Sequence, residues 1–174
     1  PQSTQVLINI SDFFQAWGLT VFLVLCACFL IFKQLLRKDG FRMNYHRVLL
    51  KLPMIGKVVI GQNTARYSRT LSILSASAVP LLEGMRIAGD VLTNDHIQKS
   101  MAEAANMVRE GTSLKASLEQ SKIFPPMMLH MIASGEKSGE LQEMLGLAAD
   151  NQDREFNALV SISMSVFQPV LVVS

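Results

Sequence analysis

The chain has 174 residues, 49% of them apolar and 17% charged, with two Cys and a formal net charge of +2, and its mean hydropathy is +0.29. All 16 Lys and Arg lie between Lys33 and Arg154, and residues 13–32 and 156–174 carry no charge. An ordinary soluble domain is about 25% charged, so this pattern excludes a plain soluble globule, a disordered chain and a disulfide scaffold and predicts a polar domain held between two membrane segments.

Residues 1–12 read as a tail on the outer side of the membrane, periplasmic on the family resemblance given below. The tail contains no Lys or Arg, and Asp12 is acidic. A signal peptide carries the opposite charge before its apolar run. Asn9-Ile10-Ser11 matches a glycosylation sequon, a pattern that arises often by chance. Residues 13–32, FFQAWGLTVFLVLCACFLIF, are uncharged. Twenty helical residues cover about 30 Å, the hydrocarbon thickness of a bilayer. Trp17 sits near one end, where an indole places its ring in the interface. Cys26 and Cys28 point to nearly opposite sides of such a helix and cannot pair with each other.

The sign changes abruptly after Phe32. Residues 33–69 hold nine bases against one acid, and residues 70–155 hold seven bases against twelve acids. The positive-inside rule puts the basic stretch on the cytoplasmic side, where it can also meet anionic lipid headgroups. Residues 33–63 are expected to extend the first span as a helix to about Lys51, followed by a break at Leu52-Pro53 and a loop marked by Gly56 and Gly61. The basic cluster begins at a membrane exit and has little aromatic interleaving, which argues against a nucleic-acid patch.

Residues 64–155 repeat apolar side chains at helical spacing. Tyr67, Leu71, Leu74 and Ala78 form the first stripe, Leu81, Met85, Ala88 and Leu92 the second, and Ile97, Met101, Ala104 and Val108 the third. Pro80 suits a first helical position. Asn94 can cap the third helix, Gly111 can close it, and Thr112 or Ser113 can cap a short fourth one through Leu114 and Leu118. Phe124-Pro125-Pro126 starts a fifth helix with Met128, Met131 and Ile132. A turn, GEKSG, bounded by Gly135 and Gly139 leads to a sixth helix through Leu141, Met144, Leu145 and Ala148, on which Asp150 and Arg154 are placed to pair. No breaker separates the sixth helix from Phe156. The expected fold is therefore all-α: an antiparallel six-helix bundle in the cytoplasm, flanked by transmembrane helices. Residues 156–174 would be the start of a further, truncated span, with Pro169 kinking it and Gln168 placing an amide in lipid or a helix contact.

Enzyme chemistry is absent from the pattern. His46, His96 and His130 lack metal-ligand spacing, and no HExxH or CxxC occurs. Gly135-Glu136-Lys137-Ser138 has Glu where a phosphate loop needs Gly, and no strand precedes it. Glu136, Glu140 and Glu143 could share a face and bind Ca²⁺, although three solvated carboxylates are usually only that. No cofactor and no metal are expected.

Several segments, taken in order, resemble a known family. Ala65-Arg66-Tyr67-Ser68-Arg69-Thr70-Leu71 with Val79-Pro80-Leu81-Leu82-Glu83 resembles the start of the type II secretion F domain. Val108-Arg109-Glu110-Gly111, Phe124-Pro125-Pro126 and Gly135-Glu136-Lys137-Ser138-Gly139-Glu140-Leu141 with Met144-Leu145 resemble its later signatures. The tail from Asn151 to Phe156 looks closest to the secretion branch, with the type IV pilus branch as its cousin. The resemblance implies a multi-pass, non-catalytic platform protein of a Gram-negative inner membrane, a homo-oligomer with two related cytoplasmic domains of which this chain holds the second. It implies coupling of a cytoplasmic secretion ATPase to pseudopilus assembly. The partners would be that ATPase, inner-membrane adaptor proteins, pseudopilins and the lipid bilayer, with no nucleic acid. Glu136, Lys137, Ser138, Glu140 and Gln168 are the partner-binding candidates. The family often has Glu where this chain has Gln168, so the amide here offers a hydrogen bond but no charge. A type IV pilus platform and a membrane transporter subunit are the alternative readings, the latter motivated by Gln15, Thr20 and Gln168 within membrane segments.

Overall fold

The computed structural model describes residues 18–31, 33–34 and 39–173, except for the side chains of Asp39, Ser163 and residues 166–173. Residues 18–31 form helix α1, with an exposed surface from Leu19 onward and both Cys free and exposed. The expected outer tail, the sequon, Gln15 and Trp17 lie outside the described residues. The chain divides into two compact units, residues 1–44 and 45–174. Helix α2 (Asp39–Lys51) crosses that division and is followed by α3 (Ile55–Ala76), α4 (Leu81–Asp90), α5 (Asp95–Arg109), α6 (Leu114–Gln120), α7 (Pro126–Ser138) and α8 (Leu141–Val173). No strand occurs among the described residues, and the fold is all-α. Among those residues, no helix is long and apolar enough to cross a membrane.

In the second unit each helix from α3 to α8 packs on the next along the chain, and α8 packs most extensively on α3, which closes a ring. The core inside it follows the helical spacing of the sequence. Tyr67 and Leu71 come from α3, Met85 and Ala88 from α4, Ile97, Met101 and Ala104 from α5. Leu114 and Leu118 come from α6, Met128 and Ile132 from α7, Leu145 and Ala148 from α8. Tyr67 meets Phe124 edge to face with ring centroids 5.9 Å apart, a favoured aromatic geometry.

Glycine is where the structure departs from the expected order. Gly56 and Gly61 do not mark a loop, because α3 already begins at Ile55 and both residues are buried in it. A Cβ on Gly56 would collide with the Leu50 carbonyl oxygen, and one on Gly61 would stand 2.9 Å from Gln152 Nε2. Their missing side chains admit the end of α2 and the middle of α8. Further along the same pair of helices, Ser72 Oγ donates to the Gln142 carbonyl at 2.8 Å, and a Cβ on Gly146 would lie 3.3 Å from that hydroxyl. Asp150 does not pair with Arg154; Arg69 on α3 takes both Asp150 and Asp153. These pairings, from Gly61–Gln152 to Ser72–Gln142, make α3 and α8 antiparallel.

Polar residues set the helix ends. The Asn94 side chain accepts from the His96 and Ile97 amides at 3.0 and 3.1 Å, so it caps α5 as expected. The α4–α5 link is in turn tied to α3, where buried Asn63 Oδ1 accepts from the amides of Thr93 at 3.0 Å and Asn94 at 3.4 Å. Two helices end in the same six-to-one motif. After α5 the left-handed position is Gly111 at φ 100°, with the Thr112 amide donating to Met107 O at 3.0 Å. After α3 it is Ala78 at φ 58°, with the Val79 amide donating to Leu74 O at 3.0 Å. A left-handed residue with a Cβ carries a steric penalty of about 1–2 kcal/mol that glycine escapes. Ala78→Gly is therefore expected to stabilise the protein by about 1 kcal/mol, read as a higher unfolding midpoint in detergent. An unchanged or lower midpoint would count against this account.

Candidate functional site

The GEKSG segment is not a free turn. Residues 135–138 form the last helical turn of α7, and only Gly139, at φ 78°, leaves the helix. Gly135 lies at the tightest point of the α7–α8 hairpin. A Cβ there would stand 2.8 Å from Met144 Cβ and 2.9 Å from Leu141 Cα, so α8 can approach only a glycine. Glu136 is half-buried and turns inward. Its carboxylate accepts from the Leu114 amide at 2.6 Å and the Lys115 amide at 2.9 Å. Those are the first two amides of α6, which have no partner inside their own helix and sit at its positive end. Ser113 Oγ accepts from the Ala116 amide at 3.2 Å. A seven-residue helix thus starts under two caps, one of them borrowed from α7.

The remaining candidates separate in space. Lys137, Ser138 and Glu140 are exposed together at the α7–α8 corner, where Ser138 Oγ accepts from the Glu140 amide at 3.3 Å. Gln168 lies far along α8, and its side chain is outside the described residues. The corner presents an ammonium, a hydroxyl and a carboxylate to solvent, whereas Glu136 acts inside the fold. Among the described residues, no group of three or more His, Cys, Asp or Glu is placed to hold a metal ion.

Sequence spacing gave no sign of a second polar cluster, on the α3–α8 pair. Arg69 Nη2 lies 2.6 Å from Asp150 Oδ1 and 2.9 Å from Asp153 Oδ2. Hydrogen bonds to Asp150 and Asp153 raise the Arg69 guanidinium above its ordinary value. Tyr67 OH, Ser68 Oγ and Gln152 Oε1 are buried and have no hydrogen-bond partner among the described residues. Burial pushes the Tyr67 phenol well above its usual range, so it stays protonated. At the start of α5, His46 Nδ1 accepts from the Asp95 amide at 3.0 Å and joins the end of α2 to that helix. None of these groups forms a nucleophile–base pair. The Arg69 and His46 contacts hold helices together.

The family described as type II secretion system (T2SS), protein F matches residues 67–174. The chain belongs to that family. It is 56% identical over its whole length to type II secretion system protein F of Aeromonas hydrophila, covering 45% of that protein. It is 51% identical to type II secretion system protein F of Vibrio cholerae over 99% of the chain and 42% of the relative. Type IV pilus assembly protein PilC of Pseudomonas aeruginosa is 33% identical over 98% of the chain and 46% of the relative. The chain thus spans under half the length of these curated relatives. Membership of the protein F family favours a secretion or pilus component over a transporter subunit.

Two expected outcomes follow from these contacts. Glu136→Ala leaves the Leu114 and Lys115 amides unpaired, and each such group costs about 1–3 kcal/mol where water cannot reach it. Thermal unfolding should therefore fall clearly for Glu136→Ala, and less for Glu136→Gln, which keeps an acceptor. Equal loss in both would show that the charge, rather than the hydrogen bonds, is what counts. The Arg69–Asp150 pair is about half exposed, so a double-mutant cycle with Arg69→Ala and Asp150→Ala should give a coupling of only about 0.5–1 kcal/mol after screening. A much larger coupling would mean that the pair also controls how α3 seats on α8.

Proposed function

We propose that this chain is the membrane-anchored cytoplasmic part of a non-catalytic platform in a bacterial type II secretion system, coupling a secretion ATPase to pseudopilus assembly at the inner membrane. The observation that carries the reading is α8. One uninterrupted helix runs from Leu141, on the core, to Val173 in the uncharged tail. Its core half is fixed to α3 and α7. A push or rotation delivered to the helical ring therefore has a direct path along α8 into its uncharged stretch. The expected spans, residues 13–32 and from 156 onward, place that stretch in the bilayer. The basic stretch of residues 33–69 then marks the cytoplasmic side.

The α7–α8 corner is the part of this site suited to the ATPase or an adaptor. Lys137, Ser138 and Glu140 are exposed there, at the end of α8 opposite the uncharged tail. Gln168 is the position suited to a pseudopilin, through an amide hydrogen bond. A role in type IV pilus assembly is the second reading, supported by the match to PilC over nearly the whole chain.

The test uses the full-length protein in cells. Lys137→Glu and Glu140→Lys reverse charge at exposed positions and should leave folding intact. They are expected to lower both secretion and co-purification of the ATPase or adaptor, and the combined swap to restore part of the loss. Wild-type secretion and co-purification in both single variants would remove the corner from the partner interface.

A further inference from the structure

The first turn of α3 and the outer stretch of α8 leave an apolar groove of about 530 Å³ on the surface. Met54, Ile55 and Val58 form one wall and Val160 and Met164 the other, with Lys57 at the edge. Met54 and Met164 are each 70% exposed. The exposed apolar surface continues through Leu52 on one side and Ile162 on the other. Lys57 lines the groove, Lys51 is exposed on the same segment, and no Asp or Glu occurs anywhere in residues 40–82.

We propose that this corner, Leu52 to Val58 with the facing turns of α8, is a lipid-contact surface that inserts into the interface of an anionic leaflet. The proposal rests on the reading that α8 continues into the bilayer. It adds the segment Leu52 to Val58 to the contact that α8 makes with the same membrane. Three features select lipid as the occupant. Apolar side chains at the tip with cations set behind them are the arrangement that binds the headgroup–acyl boundary, where the apolar part descends about 5–10 Å. Lys and Arg can lay their stems along apolar surface while their charged heads reach phosphates. A second copy of this chain fits poorly. A two-fold contact through this patch would bring two cation-flanked surfaces together, with no carboxylate from residues 40–82 of either copy to pair them. The patch is also continuous with the uncharged end of α8, so a membrane that receives that helix already lies alongside it.

The experiment uses full-length protein in a Cys-free background, reconstituted in vesicles of phosphatidylcholine and phosphatidylglycerol. An environment-sensitive fluorophore is placed on Met54→Cys, Ile162→Cys or Ile73→Cys, and spin-labelled lipids serve as quenchers. Ile73 is exposed at the other end of α3. The label at position 54 should be blue-shifted and lose most of its emission to the lipid quencher, and the label at 73 should do neither. Adding Lys51→Gln and Lys57→Gln should reduce quenching at 54 in the mixed vesicles, and to a lesser extent in phosphatidylcholine alone. A blue-shifted but unquenched label at 54 would mean that protein covers the groove, and an unshifted, unquenched one that it stays in water. Either result overturns the proposal. Quenching at 162 separates the two claims. If it persists, α8 still enters the bilayer and only the corner contact fails. If it is lost, the reading of α8 fails, and the proposal falls with it.

Discussion

The close antiparallel packing of α3 on α8 is the constraint on which the rest of the second unit depends. The two helices are separated along the chain by four others, and their contact turns a series of neighbouring hairpins into a closed ring. Close approach requires small groups. Gly61 faces Gln152, and Ser72 faces Gly146. At that distance the Ser72 hydroxyl reaches a carbonyl of the opposite helix and Arg69 reaches two carboxylates a turn apart. Without α3, the core residues Leu145 and Ala148 would lose one of the two walls they pack against. Closing so long a loop costs conformational entropy that grows only slowly with its length, so the interface need not be large, but it must be dry and well fitted.

Buried polar groups here specify which helix meets which. Asn63 reads the α4–α5 link through two backbone amides. Glu136 reads the start of α6. Each contact crosses from one helix to the end of another, and a slip of one residue would leave amides unpaired at a cost of about 1–3 kcal/mol each. Exposed pairs carry far less information. Arg86 sits between Glu83 at 2.7 Å and Asp90 at 3.3 Å on its own helix, where solvent screens the attraction and a rotamer change loses little. The fold is thus positioned by a few inward polar contacts on an apolar core, and the surface ion pairs are secondary to it.

Helical periodicity made the core legible in the sequence. The stripes of α4 and α5, the caps at Asn94 and Ser113 and the break at Phe124-Pro125-Pro126 all lie where local spacing puts them. Tertiary approach was not legible, because sequence displays a glycine without displaying its reason. Gly56, Gly61 and Gly135 read as punctuation, yet each is a place where another helix comes too near for a Cβ. Ala78 errs in the other direction. It continues an apolar stripe but sits in the left-handed position where glycine is usual. The same limit explains the charges: Asp150 and Arg154 have ideal local spacing, but Asp150 finds Arg69 on another helix. Glu136 likewise looked like a solvated part of a docking motif and proves to be a cap inside the fold. Local rules find helices and their ends. They do not find partners 20–90 residues away.

On the platform reading, α8 separates the two working ends of the unit. The exposed corner at Lys137–Glu140 adjoins its start, and the uncharged stretch begins at Phe156, about 22 Å further along the helix axis at 1.5 Å per residue. Charge is also uneven along the chain: residues 33–69 have nine bases and one acid, and residues 70–155 have more acids than bases. A ring closed through α3 and α8 then has a mechanical consequence. If α8 were tethered only to α7, force at the corner would open the hairpin. With α3 also clamped along it, the same force must move the whole ring, and the uncharged end of α8 with it.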